Sequence, residues 1–336
     1  MDVPFSQHSG QTTGFYCCRV SNLLIATTAL VATAGVASAE ITLSGFGRVG
    51  ATYLENRFND TNSNNIQDAG EVNEKQTQVE HRMRIVITGE AEAESGVTFS
   101  AQTRIQADDA ATTAQDTFQS TSGALYAPAY RIGYQGLSLA VGNVSLVEET
   151  AGYAAGSLGY TGFMYANPRA FNGDANYGNW TATTDGVIML TYANAGFKVG
   201  VSTSDTAAGV QRNVASASYS AAGYTVAVTA QDSDNNDQDF VSLHVGGKVE
   251  QIGFAIYADN YKNGTNGFGA SVSMSVAEGL NVALTANTVD NSVGVQKDEL
   301  FGVGFNYDLG AGVSLGGGVA SMRGSNYAEM GVVFNF

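Results

Sequence analysis

The chain has 336 residues, of which 44% are hydrophobic and only 14% charged, with 41 Gly, 3 Pro and 2 Cys. Its 15 Lys and Arg face 31 Asp and Glu, a net charge of −16, which argues against nucleic acid as a partner. That hydrophobic content excludes disorder, so much Gly disfavours long helices, and two Cys cannot staple a chain of this length.

The first element is a leader. Leu23 to Val36 is apolar, Arg19 precedes it, and Ala37-Ser38-Ala39 supplies a small-residue cleavage site before Glu40. The run is too short for a spanning helix, which needs about 20 residues. Residues 1–39 are therefore read as a signal peptide whose own start the sequence leaves open, and 40–336 as one domain. Cys17 and Cys18 leave with the leader, so the exported part carries no Cys. That points to a bacterial envelope rather than a disulfide-stabilised secreted domain.

From Glu40 onward the pattern has a period of two. Val97, Phe99, Ala101 and Ile105 alternate with Thr98, Ser100, Gln102 and Arg104; Phe268, Ala270, Val272 and Met274 alternate with Ser271 and Ser273. Leu280 to Asn287, Phe301 to Tyr307 and Met330 to Phe336 continue it. Tight connections with Gly lie at Glu94-Ser95-Gly96, Gln135-Gly136, Asn194-Ala195-Gly196, Ala221-Ala222-Gly223, Gln251-Ile252-Gly253, Ala277-Glu278-Gly279 and Leu309 to Gly312. Between them come polar stretches: Arg57 to Gln78, Asp108 to Ser122, Ser145 to Asp185, Asp205 to Gln211, Asp232 to Gln238, Tyr261 to Asn266, Val289 to Lys297 and Met322 to Tyr327. Fifteen connections imply about sixteen strands. Short turns on one side and long loops on the other, joining strands of about 10 residues, are the layout of a transmembrane β-barrel. The expected fold is all-β: a 16-stranded antiparallel transmembrane β-barrel, wide enough for an aqueous channel, with its long third loop folded inward. Tyr126, Tyr130, Tyr134, Phe197, Tyr224, Phe254 and Tyr307 are expected on the lipid face as aromatic girdles.

Arg48, Arg82, Arg84 and Arg104 fall on the polar faces of the first three strands. Facing lipid each would cost about 2–4 kcal/mol, so they are placed on the inner wall. Ser145 to Asp185 is far longer than an ordinary loop and carries Glu148, Glu149 and Asp174. The expectation is a pore constriction with arginines on the wall and these acids on the loop.

Several motifs read otherwise. Gly45-Phe46-Gly47-Arg48-Val49-Gly50 fits a dinucleotide fingerprint, but the strand runs on where a helix is required. Asp232, Asp234 and Asp237 resemble a calcium loop without its Gly and Glu, which leaves loose divalent-ion binding as the most they could do; no other cofactor is expected. Nothing forms a catalytic elbow or a zinc set, so an enzyme is not expected.

These residues together resemble the Gram-negative general porins, closest to the alphaproteobacterial type. The resemblance rests on Glu40 to Arg48 as first strand, on Arg82-Met83-Arg84-Ile85 through Gly96-Val97-Thr98-Phe99 and Arg104 as second hairpin, and on Val141-Gly142-Asn143-Val144 before the constriction loop. It also rests on Val332 to Phe336, the strand read by the barrel assembly machinery. The resemblance implies a homotrimer in the outer membrane, in contact with lipid and lipopolysaccharide, passing ions and small hydrophilic solutes by passive diffusion. It carries Arg48, Arg82, Arg84 and Arg104 over to the basic side of the constriction, and Glu148, Glu149 and Asp174 to the acidic side. A substrate-specific outer-membrane channel is the second reading.

Overall fold

The structure is a computed structural model that describes residues 39–58, 69–108, 124–147, 157–162, 164–166, 186–205, 211–234, 239–290 and 297–336. The leader, and the expectations for Glu148, Glu149, Asp174 and Asp237, lie outside the described residues.

Alternation of side chains becomes strand throughout. The strands are β1 (Glu40–Leu54), β2 (Thr77–Glu92), β3 (Thr98–Asp108), β4 (Ala124–Leu125), β5 (Ala129–Tyr134) and β6 (Leu137–Gly142). A small separate hairpin follows, β7 (Ser157–Leu158) with β8 (Met164–Tyr165). Then come β9 (Val187–Asn194), β10 (Phe197–Asp205), β11 (Gln211–Ala221), β12 (Tyr224–Ser233), β13 (Phe240–Val249) and β14 (Ile252–Tyr261). The last are β15 (Asn266–Ala277), β16 (Leu280–Asp290), β17 (Lys297–Gly310), β18 (Val313–Met322) and β19 (Ser325–Asn335). Seventeen of them form one antiparallel sheet, and β1 pairs with both β2 and β19, so the sheet closes. β4 and β5 both pair with β3 and are parts of one stave, interrupted at Pro128, which has no N–H to give to a ladder. The barrel thus has 16 staves.

The wall is inside-out relative to a water-soluble sheet. On β12, Val228 is 45% exposed and its neighbour Thr229 fully buried; on β16, Leu284 is 48% exposed and Thr285 almost wholly buried. Apolar side chains point out to lipid and small polar ones inward, so every ladder amide is paired while the outer band stays hydrocarbon-like. The stagger needed for closure is visible in β1, which pairs with β2 from Glu40 but with β19 only from Phe46. The C-terminal residue completes the seam: Phe336 N–H donates to Gly45 O at 3.0 Å and Gly45 N–H to Phe336 O at 2.8 Å.

Four particulars differ from the sequence reading. The turn expected at Gln251-Ile252-Gly253 sits one residue earlier, because Glu250 takes the left-handed conformation (φ 54°) and Ile252 keeps its lipid-facing place in β14. Met322 to Tyr327 is not a long loop but a two-residue turn, Arg323-Gly324, both at positive φ as a two-residue hairpin demands. Tyr261 to Asn266 is likewise short, leaving only Lys262 to Thr265 between strands. Finally, Tyr126 does not join a girdle. It lies beside Arg104, whose guanidinium carbon stands 4.1 Å from its ring centroid, and Arg104 faces inward. Pro128 shifts the alternation there by breaking the stave. Tyr130, Tyr134, Phe197, Tyr224 and Tyr307 are outward and exposed.

Candidate functional site

The four wall arginines share the inner face because their strands are neighbours in register. Arg48 on β1 stands directly opposite Arg82 on β2, and Arg84 opposite Phe46. Arg84 also faces Gln106 across the β2–β3 pair, two residues along β3 from Arg104. Like charges this close need compensation, and Arg48, Arg84 and Arg104 each have a distinct form of it. Arg48 forms an ion pair with Glu80, two residues before Arg82 on the same face of β2. Arg84 donates from Nε to Gln106 Oε1 at 2.6 Å and lies over the Phe46 ring, 5.0 Å from its centroid. Arg104, 7% exposed, lies over Tyr126. Cation–ring contacts of this sort contribute about 0.5–2 kcal/mol and hold a guanidinium flat against the wall.

The described part of the segment between β6 and β9 lies against this same inner face. At its root, residues 143–147 turn in over the staves. Val147 N–H donates to Ser202 Oγ at 3.0 Å, and Val144, Leu146 and Val147 form a buried cluster with Ala140, Met189 and Val214. Farther along, Tyr160 crosses three strands. Gly316, Gly331 and Gly50 form one register row across β18, β19 and β1, and Glu80 continues it on β2. A Cβ on Gly316 would come 3.1 Å from the Tyr160 Cβ, one on Gly331 2.7 Å from Cδ2 and Cε2, and one on Gly50 2.7 Å from Cζ. Tyr160 therefore lies lengthwise in a trough of three glycines, ring end toward Glu80.

Thr161 fixes the position on both sides. Arg48 Nη1 donates to Thr161 O at 3.0 Å. Glu329, 5% exposed, accepts from the Thr161 hydroxyl, from Thr161 N–H at 3.4 Å and from the Tyr327 hydroxyl at 2.6 Å. On the far side Asn287 Nδ2 donates to Ala166 O at 3.3 Å, and Ala166 packs with Ala255 and Tyr257.

The structure thus gathers Arg48, Arg82, Arg84 and Arg104 on one inner patch. It adds Glu80, Glu329 and Tyr160, which the sequence reading did not single out. Glu80 and Glu329 had a usable signal, since each occupies an inward position of its strand; the trough had none, because it exists only once three strands are in register. Asp232 and Asp234 stand at the loop end of β12, where Asp234 accepts from Gln211 N–H at 3.2 Å. Among the described residues no three of His, Cys, Asp and Glu come together as a metal-binding group.

Known proteins share this architecture. A porin from Fuscovulum blasticum is 26% identical over 315 residues, spanning 88% of this chain and all of the relative. Two engineered mutants of the Rh. blastica porin superpose with TM-scores of 0.70 and 0.69, at 24% and 23% identity, each over 88% of this chain and the whole of theirs. At that identity the superpositions speak for the fold. The sequence profile of the Gram-negative porins matches residues 26–327, and the chain belongs to that family: it is a multi-pass β-barrel of the bacterial outer membrane that forms a channel.

Proposed function

We propose that this porin is a general diffusion channel for ions and small hydrophilic solutes, narrowed where the segment between β6 and β9 meets the arginine-bearing wall. The observation that carries this reading is the double attachment of Thr161, to Arg48 and to Glu329, which sets the segment beside the basic patch. Arg48, Arg82, Arg84 and Arg104 supply the positive side of the constriction, and Glu80 and Glu329 balance it from the wall. Glu148, Glu149 and Asp174 complete the acidic side from the loop. A field across the opening orients dipolar solutes and disfavours apolar ones, which cannot replace the hydration they give up. Acids outnumber bases over the chain, so cations are enriched at the mouths and the net preference is weakly cationic. The active assembly is a homotrimer, each chain with its own pore, secreted with cleavage of the leader after Ala39.

The test is single-channel recording from the refolded chain Glu40 to Phe336 in a planar bilayer under a KCl gradient. Ohmic steps in groups of three, with a reversal potential of cation sign, are expected. Folded, inserted protein without steps would overturn the channel reading. Saturable flux of an uncharged sugar would favour a substrate-specific channel.

A further inference from the structure

Below the arginine patch, toward the short turns, two more cations face the lumen. Arg131 on β5 sits between lipid-facing Tyr130 and Ile132, and Lys198 on β10 between lipid-facing Phe197 and Val199, so both point inward by alternation. Arg131 pairs in register with Ser100, four residues along β3 from Arg104, which sets it about 13 Å nearer the short-turn end than that patch.

The wall between the two cations is a single register row: Gly133 on β5, Ser138 on β6, Thr191 on β9 and Gly200 on β10. Arg131 lies two residues before Gly133 and Lys198 two residues before Gly200. Because β5 runs toward the short turns and β10 away from them, the cations flank the row diagonally, Arg131 on its upper side and Lys198 on its lower side. They are close enough for their charges to act on each other. Val147, from the apolar root of the long segment, packs over Gly200 and closes the upper side.

No ion pair or hydrogen bond to another described residue is made by the side chains of Arg131, Lys198, Ser138 or Thr191. Arg48, Arg84 and Arg104 of the upper patch each have a counter-group or a ring; among the described residues Arg131 and Lys198 have neither. Two half-buried like charges beside an apolar cluster destabilise the wall unless an anion lies between them. A guanidinium, an ammonium and two hydroxyls on one inner face are a donor set that suits a tetrahedral oxyanion.

We propose that Arg131, Lys198, Ser138 and Thr191 form a subsite for the phosphate group, free or carried on a solute, on the short-turn side of the constriction. The proposal rests on the channel reading and gives that channel a station where phosphate pauses in transit. A weakly cation-preferring pore and a local anion site are compatible, since the first is set by the mouths and the second by contact.

The experiment uses the full channel in a planar bilayer, with inorganic phosphate replacing chloride at constant ionic strength. The conductance is expected to fall along a saturating curve, with a lower half-saturation when phosphate is added on the short-turn side. Arg131→Gln and Lys198→Gln are each expected to raise the half-saturation about tenfold, the loss of one charge-assisted contact. Lys198→Arg is expected to restore it, and Lys262→Gln, a cation in the turn between β14 and β15, to leave it unchanged. Glucose 6-phosphate in a second arm distinguishes the sources: saturation by both assigns the site to phosphate monoesters as well, and saturation by inorganic phosphate alone assigns it to the free ion. A linear dependence on phosphate, or Arg131 and Lys198 variants that match the parent, overturns the subsite while leaving conductance, and therefore the channel reading, intact.

Discussion

Replacing Tyr160 by Ala should release the segment between β6 and β9 from the barrel wall without disturbing the barrel. The ring occupies the Gly316–Gly331–Gly50 trough and is 5% exposed, so its removal deletes a contact that no other side chain can take over. Burying an aromatic side chain withdraws about 150–250 Å² from water, about 4–6 kcal/mol as an upper estimate. Measured truncations of this kind cost about 3–5 kcal/mol. At about 1.4 kcal/mol per decade, the undocked state becomes roughly 10²-fold to several thousandfold more populated. The hydrogen bonds of Thr161 remain, so the segment is loosened rather than lost. Single-channel traces of Tyr160→Ala should show excess open-channel noise and a broadened distribution of step sizes, while Tyr160→Phe stays near the parent. Gly316→Val provides the same perturbation from the other side. All three nearest neighbours of a Cβ at Gly316 belong to Tyr160, so the added methyls strain the docking by about 1–3 kcal/mol and spare the ladder. If Tyr160→Ala inserts normally and its current is as quiet and uniform as the parent's, the trough does not hold the segment and the reasoning fails.

Glu80→Gln removes the carboxylate that neutralises Arg48, leaving one uncompensated positive charge on the inner patch. A unit charge at about 7 Å in water acts with about 0.6 kcal/mol, lowering cation entry and raising anion entry about two- to threefold each, so the cation-to-anion permeability ratio should fall by up to about sevenfold, less as salt screens the charge, read as a shift of reversal potential. Ile87→Arg puts a guanidinium on the lipid face of β2 and should lower the stability of the barrel in vesicles by about 2–4 kcal/mol near the midplane, measured by urea unfolding. The inward Val86→Arg should cost much less, and equal losses at the two positions would contradict the assigned faces. Deleting Phe336 removes both backbone hydrogen bonds that it exchanges with Gly45 and should reduce the yield of heat-modifiable folded barrel.

The fold was legible because the sequence repeats one local rule. Alternation marks which side chains meet lipid, and Gly after a left-handed residue, as at Ala195-Gly196 and Ala222-Gly223, marks where the chain reverses. The rule weakens where one strand's features depend on another. Arg323 in a left-handed turn looks like any polar loop residue, so the sequence does not mark the β18–β19 hairpin as tight. Tyr126 sits beside a stave broken at Pro128, where counting by twos loses its phase. At the site, the four arginines could be placed because charge and strand face are both local properties. The Tyr160 trough could not, since Gly50, Gly316 and Gly331 are ordinary glycines until β1, β18 and β19 are aligned. The charge balance at Arg48 was half legible: Glu80 is marked as inward by alternation, but its pairing with Arg48 needs β1 and β2 in register.

The seam between β1 and β19 has a consequence for how the chain reaches this state. Gly47 pairs with Phe334, so the contact that shuts the cylinder joins nearly the first and the last residues of the barrel. Until β19 meets β1, any sheet the chain has formed has two bare edges, each a row of unpaired amides able to template association with any other strand. Contacts of such long sequence separation form slowly. Export therefore delivers a polypeptide that must be kept from sticking for the whole of its transit, and that is sealed only when β19 reaches β1.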